Sequence, residues 1–269
     1  MRKDGHIHTP YCPHGSKDSL ESYIIKAISL GFQEISFTEH APLPPQFAEP
    51  TPLKDSAMSI DRLEAYFTEV NILKEKYKNS IIVNAGLEVD FIEGYEQEIK
   101  AFLDEYGNLI DDSILSVHFL KHDNKYDCVD YSPDVFEEMI SRYGSIEKVY
   151  NRYYQTVHHS INTDLGKYKP KRIGHINLVE KFKKKFQSNE DFKQTITSIL
   201  TAIKQNGYEL DYNGAGSSKP LCREPYPPLW AAQAALDMGI KLVYGSDAHQ
   251  VKELGQGLQM MIGQQHLNR

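Results

Sequence analysis

The sequence predicts a single α/β domain built as a barrel of seven parallel strands, and three observations predict it. Seven short apolar segments alternate with helical sequence, which is the pattern of repeated βαβ units rather than of sandwiches or meanders. Nearly every one of those segments ends on a polar residue, most often a histidine or a carboxylate, as a barrel requires when it assembles one site at the C-terminal ends of its strands. No linker or low-complexity stretch breaks the 269 residues, a length that one α/β barrel commonly fills, so one domain is assigned over 1–269. A doubly wound open sheet is the structural alternative, but it gathers its ligands at a switch point instead of around a rim.

The first strand carries Asp4-Gly5-His6-Ile7-His8. Side chains two apart on a strand share a face, so His6 and His8 can reach one cation together. Taken alone, the pair equally describes two polar residues on a solvated face. Asp18-Ser19-Leu20-Glu21 has capping-box spacing with Asp18 as the cap, and Leu20, Tyr23, Ile24, Ala27 and Ile28 form the apolar stripe of a helix that Gly31 closes. The second strand, Glu34-Ile35-Ser36-Phe37-Thr38, runs into Glu39-His40 and is stopped by Ala41-Pro42. Prolines 42, 44, 45, 50 and 52 exclude regular structure as far as Ser56, and a loop of this length is a lid or binding loop in many compact domains.

Helical spacing returns over Ser59–Tyr77 and leads to a buried strand, Ile81–Glu88. The unit then recurs. A helix over 95–106 precedes the strand Ile114–His118, and helices over 133–142 and 145–165 precede Arg172–Ile176. A helix over 190–205 precedes Tyr208–Asn213, and one over 228–238 precedes Lys241–His249.

Composition narrows the function. Thirty basic against 37 acidic residues leave a net charge of −7, which offers no general attraction to a polyanion. Lys181 and Lys183-Lys184-Lys185 form the one basic cluster, read as a solvated helix end. No apolar run is long enough to span a membrane, and the N-terminus lacks the apolar core of a secretory signal. Cys12, Cys128 and Cys222 are odd in number and widely spaced, which fits a reducing compartment and a cytoplasmic protein. Cys12 lies close enough to the first histidines to be a further metal-ligand candidate.

Collected from the strand ends and the loop after the first strand, the candidate metal ligands are His6, His8, His14, His40, Glu88, His118, His175, Asp247 and His249, which take seven of the 11 histidines. Nine donors exceed what one ion accepts and carboxylates can bridge, so two or three divalent transition metals are implied, with zinc, iron and manganese all suited to the donors. Adjacent metals lower the pKa of a bridging water and clamp both oxygens of a displacement at phosphorus, so hydrolysis of phosphate esters is the chemistry such a site serves best.

In this order, Asp-Gly-His6-Ile7-His8-Thr9, Thr38-Glu39-His40, Gly86-Leu87-Glu88, Ser116-Val117-His118, Gly174-His175 and Gly245-Ser246-Asp247-Ala248-His249 resemble the polymerase and histidinol phosphatase (PHP) superfamily over essentially the whole chain. The resemblance implies a distorted, TIM-like (β/α)7 barrel with a trinuclear metal centre. It places His6, His8, Glu88 and Asp247 on one metal, a bridging Glu88 with His118 and His175 on a second, and His14, His40 and His249 on a third. Asp247, Glu88 and His249 are then expected to be catalytic as well as ligating.

Within the superfamily, the Cys12-Pro13-His14-Gly15 loop, the proline-rich segment and Ser113–Phe119 resemble the monofunctional histidinol-phosphatases of histidine biosynthesis. The implied reaction is hydrolysis of L-histidinol phosphate by a metal-activated hydroxide, with a small-molecule phosphomonoester as the partner, no nucleic acid and no membrane; the oligomeric state is left open. Arg223, on the loop after the sixth strand, is the leading candidate for the substrate phosphate because a guanidinium binds two of its oxygens; Lys121 and Arg152 follow. Arg172 is placed on the opposite strand face from His175, toward the bottom of the barrel. Phe119, Tyr126, Tyr212 and Tyr226 are candidates to stack on the imidazole of the substrate. A PHP-type nuclease, a phosphatase for another small monoester and a non-catalytic metal-binding protein are the competing functions.

Overall fold

Seven parallel strands form one sheet in the order β1-β2-β3-β4-β7-β8-β9, in a computed structural model that describes residues 2–262. Residues 1 and 263–269 of the expected domain lie outside the described residues. The strands are β1 (Lys3–Ile7), β2 (Glu34–His40), β3 (Ile82–Asp90), β4 (Asp112–Ser116), β7 (Arg172–Ile173), β8 (Glu209–Asn213) and β9 (Leu242–Gly245), with a separate antiparallel hairpin of β5 (Phe119–His122) and β6 (Lys125–Cys128). The barrel nearly closes where the chain leaves β9. Ile7 bridges Ala248 in parallel, the His8 amide donates to the Ala248 carbonyl at 3.0 Å, and the Asp247 amide donates to the His6 carbonyl at 2.7 Å.

The α-helices are α1 (Leu20–Ser29), α2 (Leu63–Tyr77), α3 (Glu96–Tyr106), α4 (Pro133–Tyr143), α5 (Ile146–Asn162), α6 (Lys193–Gln205), a four-residue α7 (Ala215–Ser218) and α8 (Leu229–Asp237), with short 3₁₀ turns between elements. Local chemistry sets their ends. Ser132 accepts from the Val135 amide just ahead of Pro133, and Gly144 at φ 88° stops α4 before Ser145 caps α5 in the same way. Among the described residues no helix is long and apolar enough to cross a membrane.

The structure corrects the sequence reading in four places. The cap of α1 is Ser19, whose side chain accepts from the Ser22 amide, while Asp18 accepts from the Val251 amide at 2.8 Å and ties down the chain beyond His249. The hairpin β5–β6 was not foreseen; its polar turn, with Asp123 at φ 53°, brings Lys121 opposite Tyr126. Strand β7 has only two residues, because the chain turns after Ile173 into a 3₁₀ helix over Leu178–Phe182, so His175 sits beyond the strand.

The fourth correction concerns Arg172. It lies at the bottom of the barrel as expected, but its side chain fills the interior, 2% exposed, with Nη2 donating to the Gly5 carbonyl at 2.7 Å and to Asp112 Oδ2 at 3.0 Å. Lys3 bridges Asp112 and Glu34, each at 2.9 Å, so the floor of the barrel is an ion network. Gly5 is what admits the guanidinium, since a Cβ there would stand 2.9 Å from Arg172 Nη1 and 2.7 Å from Val243 Cγ1.

Candidate metal centre

The nine predicted ligands come together at the other end of the barrel. Parallel register pairs His40 of β2 with Glu88 of β3, and the turn after β9 lays Asp247 against His6 of β1 and His8 just beyond it. Gly245 permits that approach, because a Cβ there would lie 2.5 Å from His6 Cβ and 2.6 Å from Asp211 Oδ1. Glu88 is the hub: one carboxylate oxygen lies 3.3 Å from His6 Nε2, 3.4 Å from His8 Nε2 and 3.2 Å from His40 Nδ1, and the other lies 3.0 Å from His175 Nε2 and 3.8 Å from His118 Nε2.

The donors fall into overlapping sets with mutual separations within 4.8 Å: His6, His8 and Asp247; His8, His40 and Glu88; Glu88, His118 and His175; and His14, His40 and His249 together with Cys12. A fifth set joins His40 and His118 to Asp90, so the sets follow the expected division except that His40 belongs to three of them and His8 and His118 to two each.

Ring geometry shows that these residues fit divalent metals. His6 and His8 face each other Nε2 to Nε2 at 3.2 Å, and His14 and His249 do so at 3.1 Å. Opposed ring nitrogens at that distance make poor partners for each other and good joint ligands for a cation. His40 Nδ1 and His175 Nδ1 are buried without a hydrogen-bond partner.

On the outer side most rings are held at Nδ1: His6 by Asp211 at 3.0 Å, His8 by Glu39 at 3.3 Å, His118 by Asp90 at 2.7 Å, His14 by the Asp55 carbonyl at 2.7 Å and His249 by the Asp247 carbonyl at 3.2 Å. A hydrogen bond at Nδ1 fixes the tautomer and leaves Nε2 free to ligate.

Electrostatics agree. Burial opposes the charge of Glu88, yet the imidazoles of His6 and His118 hold its carboxyl well below the usual range. Burial also works against charging His6, but the carboxylates of Glu88, Asp211 and Asp247 raise it well above an ordinary histidine. In the same way, against the cost of burial, Asp247 and Glu39 raise His8 to about 9, and Asp90 and Glu88 raise His118 to about 10. His40 and His249 move the other way, pushed well below the ordinary value by burial and by the charge on His8. Protons thus balance the buried carboxylates in the metal-free protein, and metal ions would displace them.

A cavity of about 390 Å³ opens over the ligands. Seven of the nine line it; His6 and His8 lie behind them, fully buried. The remaining wall includes Asp130, Tyr131, Lys181, Lys219 and Tyr226. Lys181 is therefore not on a solvated face: its ammonium donates to the Asp130 carbonyl at 2.7 Å and to Asp130 Oδ2 at 2.9 Å.

The three cations singled out for the phosphate do not reach the cavity wall. Arg223 is exposed, held in a left-handed turn at φ 68° by amide bonds to the Gly216 and Lys219 carbonyls. Arg152 donates to Glu93 Oε2 at 2.8 Å and to the carbonyl of Lys121, which lies in the hairpin itself, at 3.0 Å. Of the four aromatic candidates only Tyr226 lines the cavity; Phe119 and Tyr126 pack on Phe47, and the Tyr212 hydroxyl accepts from the Ile262 amide.

Sequence reasoning missed Asp211, Glu39 and Asp90 as ring-positioning residues. The available signal was that Tyr208–Asn213 alone among the strands predicted from sequence had supplied no ligand, while Asp90 stands two residues beyond Glu88 on the same face. Asp211→Asn is expected to weaken metal binding and kcat/KM by about 10- to 100-fold, the usual cost of losing such a partner. Chelator competition checks this, and unchanged affinity would remove Asp211 from the account.

The sequence pattern of the PHP domain family matches residues 4–215. The chain is 50% identical to the histidinol-phosphatase of Bacillus subtilis (strain 168), over 95% of this chain and 96% of that one. A crystal structure of a candidate histidinol phosphatase from Listeria monocytogenes, 39% identical, superposes with a TM-score of 0.93 over 96% of this chain and 99% of that one. The histidinol phosphate phosphatase of Lactococcus lactis, solved with zinc, L-histidinol and phosphate, shares the fold with a TM-score of 0.70 at 21% identity, over 93% of this chain and 87% of that one.

Proposed function

Since the chain belongs to the PHP domain family, we propose that it is a phosphoric monoester hydrolase that converts L-histidinol phosphate to L-histidinol and phosphate in histidine biosynthesis. The observation that carries the reading is a single cavity lined both by the candidate metal ligands and by Lys181, Lys219 and Tyr226. The 50% identical Bacillus subtilis relative, named for this activity, supports the choice of substrate. Three free, buried cysteines support a cytoplasmic enzyme.

Two or three divalent ions of zinc, iron or manganese would be held by His6, His8, Glu88 and Asp247, by Glu88, His118 and His175, and by His14, His40 and His249. When bound, they supply positive charge to the phosphate and lower the pKa of water.

The chain's own residues do the rest. Asp211, Glu39 and Asp90 keep the imidazoles turned inward. Asp247 is held at φ 52° by its amide bond to the His6 carbonyl and by Asn213 Nδ2, 3.1 Å from its carboxylate, so the loop can present both Asp247 and His249 to the cavity. Glu88, Asp247 and His249 are the catalytic ligands that border the substrate. Lys181, whose charge Asp130 sustains against burial, lines the same cavity and supplies a cation to the phosphate, and Tyr226 offers its ring to the imidazole.

The test is phosphate release from a panel of substrates. Histidinol phosphate is expected to exceed other small monoesters by at least about 100-fold in kcat/KM, the discrimination that a site built for the whole substrate provides, with no cleavage of an oligonucleotide. Equal rates across the monoesters would reject the substrate, and cleavage of the oligonucleotide would favour a nuclease.

A further inference from the structure

A second cavity lies beside the proline-rich loop, and the reaction proposed above does not use it. It measures about 630 Å³ and opens between residues 41–60 and α3. Its size falls in the range of roughly 300–1,000 Å³ that small-molecule sites occupy. Leu43, Met58, Val89, Ile99 and Phe102 give it apolar walls. Asp90, Glu98 and Glu105 set carboxylates around it against one lysine, Lys54, and neither Glu98 nor Glu105 is held in an ion pair among the described residues. Apolar walls with an excess of negative charge select an amphiphilic cation and repel anions.

Both walls of this groove also touch the metal centre. Asp90 lines both cavities, and its Oδ1 holds His118 Nδ1 at 2.7 Å. On the loop side Glu49 accepts from the amide and hydroxyl of Ser56, at 3.0 and 2.6 Å. The adjoining Asp55 carbonyl holds His14 Nδ1 at 2.7 Å.

We propose that the groove binds a small organic amine with an apolar body, and that its occupancy loosens the metal centre. A cation beside Asp90 competes with His118 for that carboxylate, and displacement of the loop moves the carbonyl that orients His14. The groove shares only Asp90 with the lining of the substrate cavity, so binding there is read without turnover and stands or falls independently of the assigned substrate.

The full-length, zinc-loaded protein is titrated with 2-phenylethylamine, using phenylacetate and 2-phenylethanol as the anionic and neutral counterparts, and binding is followed by ligand-observed NMR. The amine is expected to bind in the millimolar range or tighter, the alcohol at least about fivefold more weakly, and phenylacetate not at all. Ala101→Trp, which fills the mouth from an exposed position on α3, should abolish binding, and the double variant Glu98→Gln/Glu105→Gln should weaken it at least about fivefold while leaving the apolar walls intact.

Saturating inorganic phosphate should not displace the amine. Zinc loss to a chelator should run at least about threefold faster with the amine present in the wild type, but not in Ala101→Trp. Binding that phosphate abolishes, that survives Ala101→Trp, that treats all three probes alike or that is missing at about 20 mM would overturn the site. Unchanged zinc loss at saturation would overturn the coupling.

Discussion

Glu88→Gln is expected to lower kcat/KM for phosphate release by about 10³-fold or more and to strip the protein of part of its metal. The substitution keeps the size of the side chain and removes its charge, at a position where one carboxylate faces five imidazoles at 3.0–3.8 Å. A neutral amide cannot bridge two cations, and its NH2 would point a donor at nitrogens that must ligate. Ser116, whose hydroxyl donates to Glu88 Oε1 at 2.5 Å, keeps a partner in the amide oxygen, so the fold should survive. Elemental analysis together with kinetics checks both halves. Full metal content with a small kinetic loss would place the bridging role elsewhere.

Arg172→Met is expected to cost about 3 kcal/mol of stability, the low end for breaking a buried pair, because Lys3 and Ser36 still serve Asp112. It also leaves the Gly5 carbonyl of β1 without its guanidinium donor. The pH dependence carries a second signature. Although burial works against its charge, Arg172 and Lys3 depress the carboxyl of Asp112 from 3.8 to about 2. A group depressed in the folded state contributes stability that is present above its unfolded value and lost as pH falls through the folded one. This contribution, about 2 kcal/mol, therefore disappears between about pH 4 and pH 2. In Arg172→Met the loss should be smaller and be complete at higher pH, because the window still opens at the unfolded value but closes sooner. Denaturant titrations of both proteins at pH 6, 4 and 2.5 check this, and identical pH profiles would contradict the network.

What could be read from the sequence was whatever a local period specifies. A histidine or carboxylate in or just after a strand is placed largely by the strand itself, and so the convergence of His6, His8, His40 and Glu88 on one rim was legible before any tertiary contact was known, while Asp247 reaches it through the turn after β9. His175 was found as well, although β7 stops two residues short of it, because the turn that follows still delivers it to the rim.

Long-range packing decided the rest. Lys181 reads as one lysine in a basic run until the 3₁₀ turn points it at Asp130, and Arg223 reads as a phosphate ligand until a left-handed residue turns it to solvent. Arg172 was placed at the right end of the barrel but on the wrong face, because strand alternation was counted through a segment that is no longer strand. Asp211, Glu39 and Asp90 are ordinary acids in sequence and acquire a role only through the rings they hold across the barrel.

The most direct test measures metal content and phosphate release from histidinol phosphate on the same sample, before chelation, after exhaustive chelation and after metal is restored. A centre built from these nine side chains should show about two to three divalent ions per chain, lose turnover in step with them and regain it on reloading. Undiminished turnover with less than roughly a tenth of an ion per chain would contradict it.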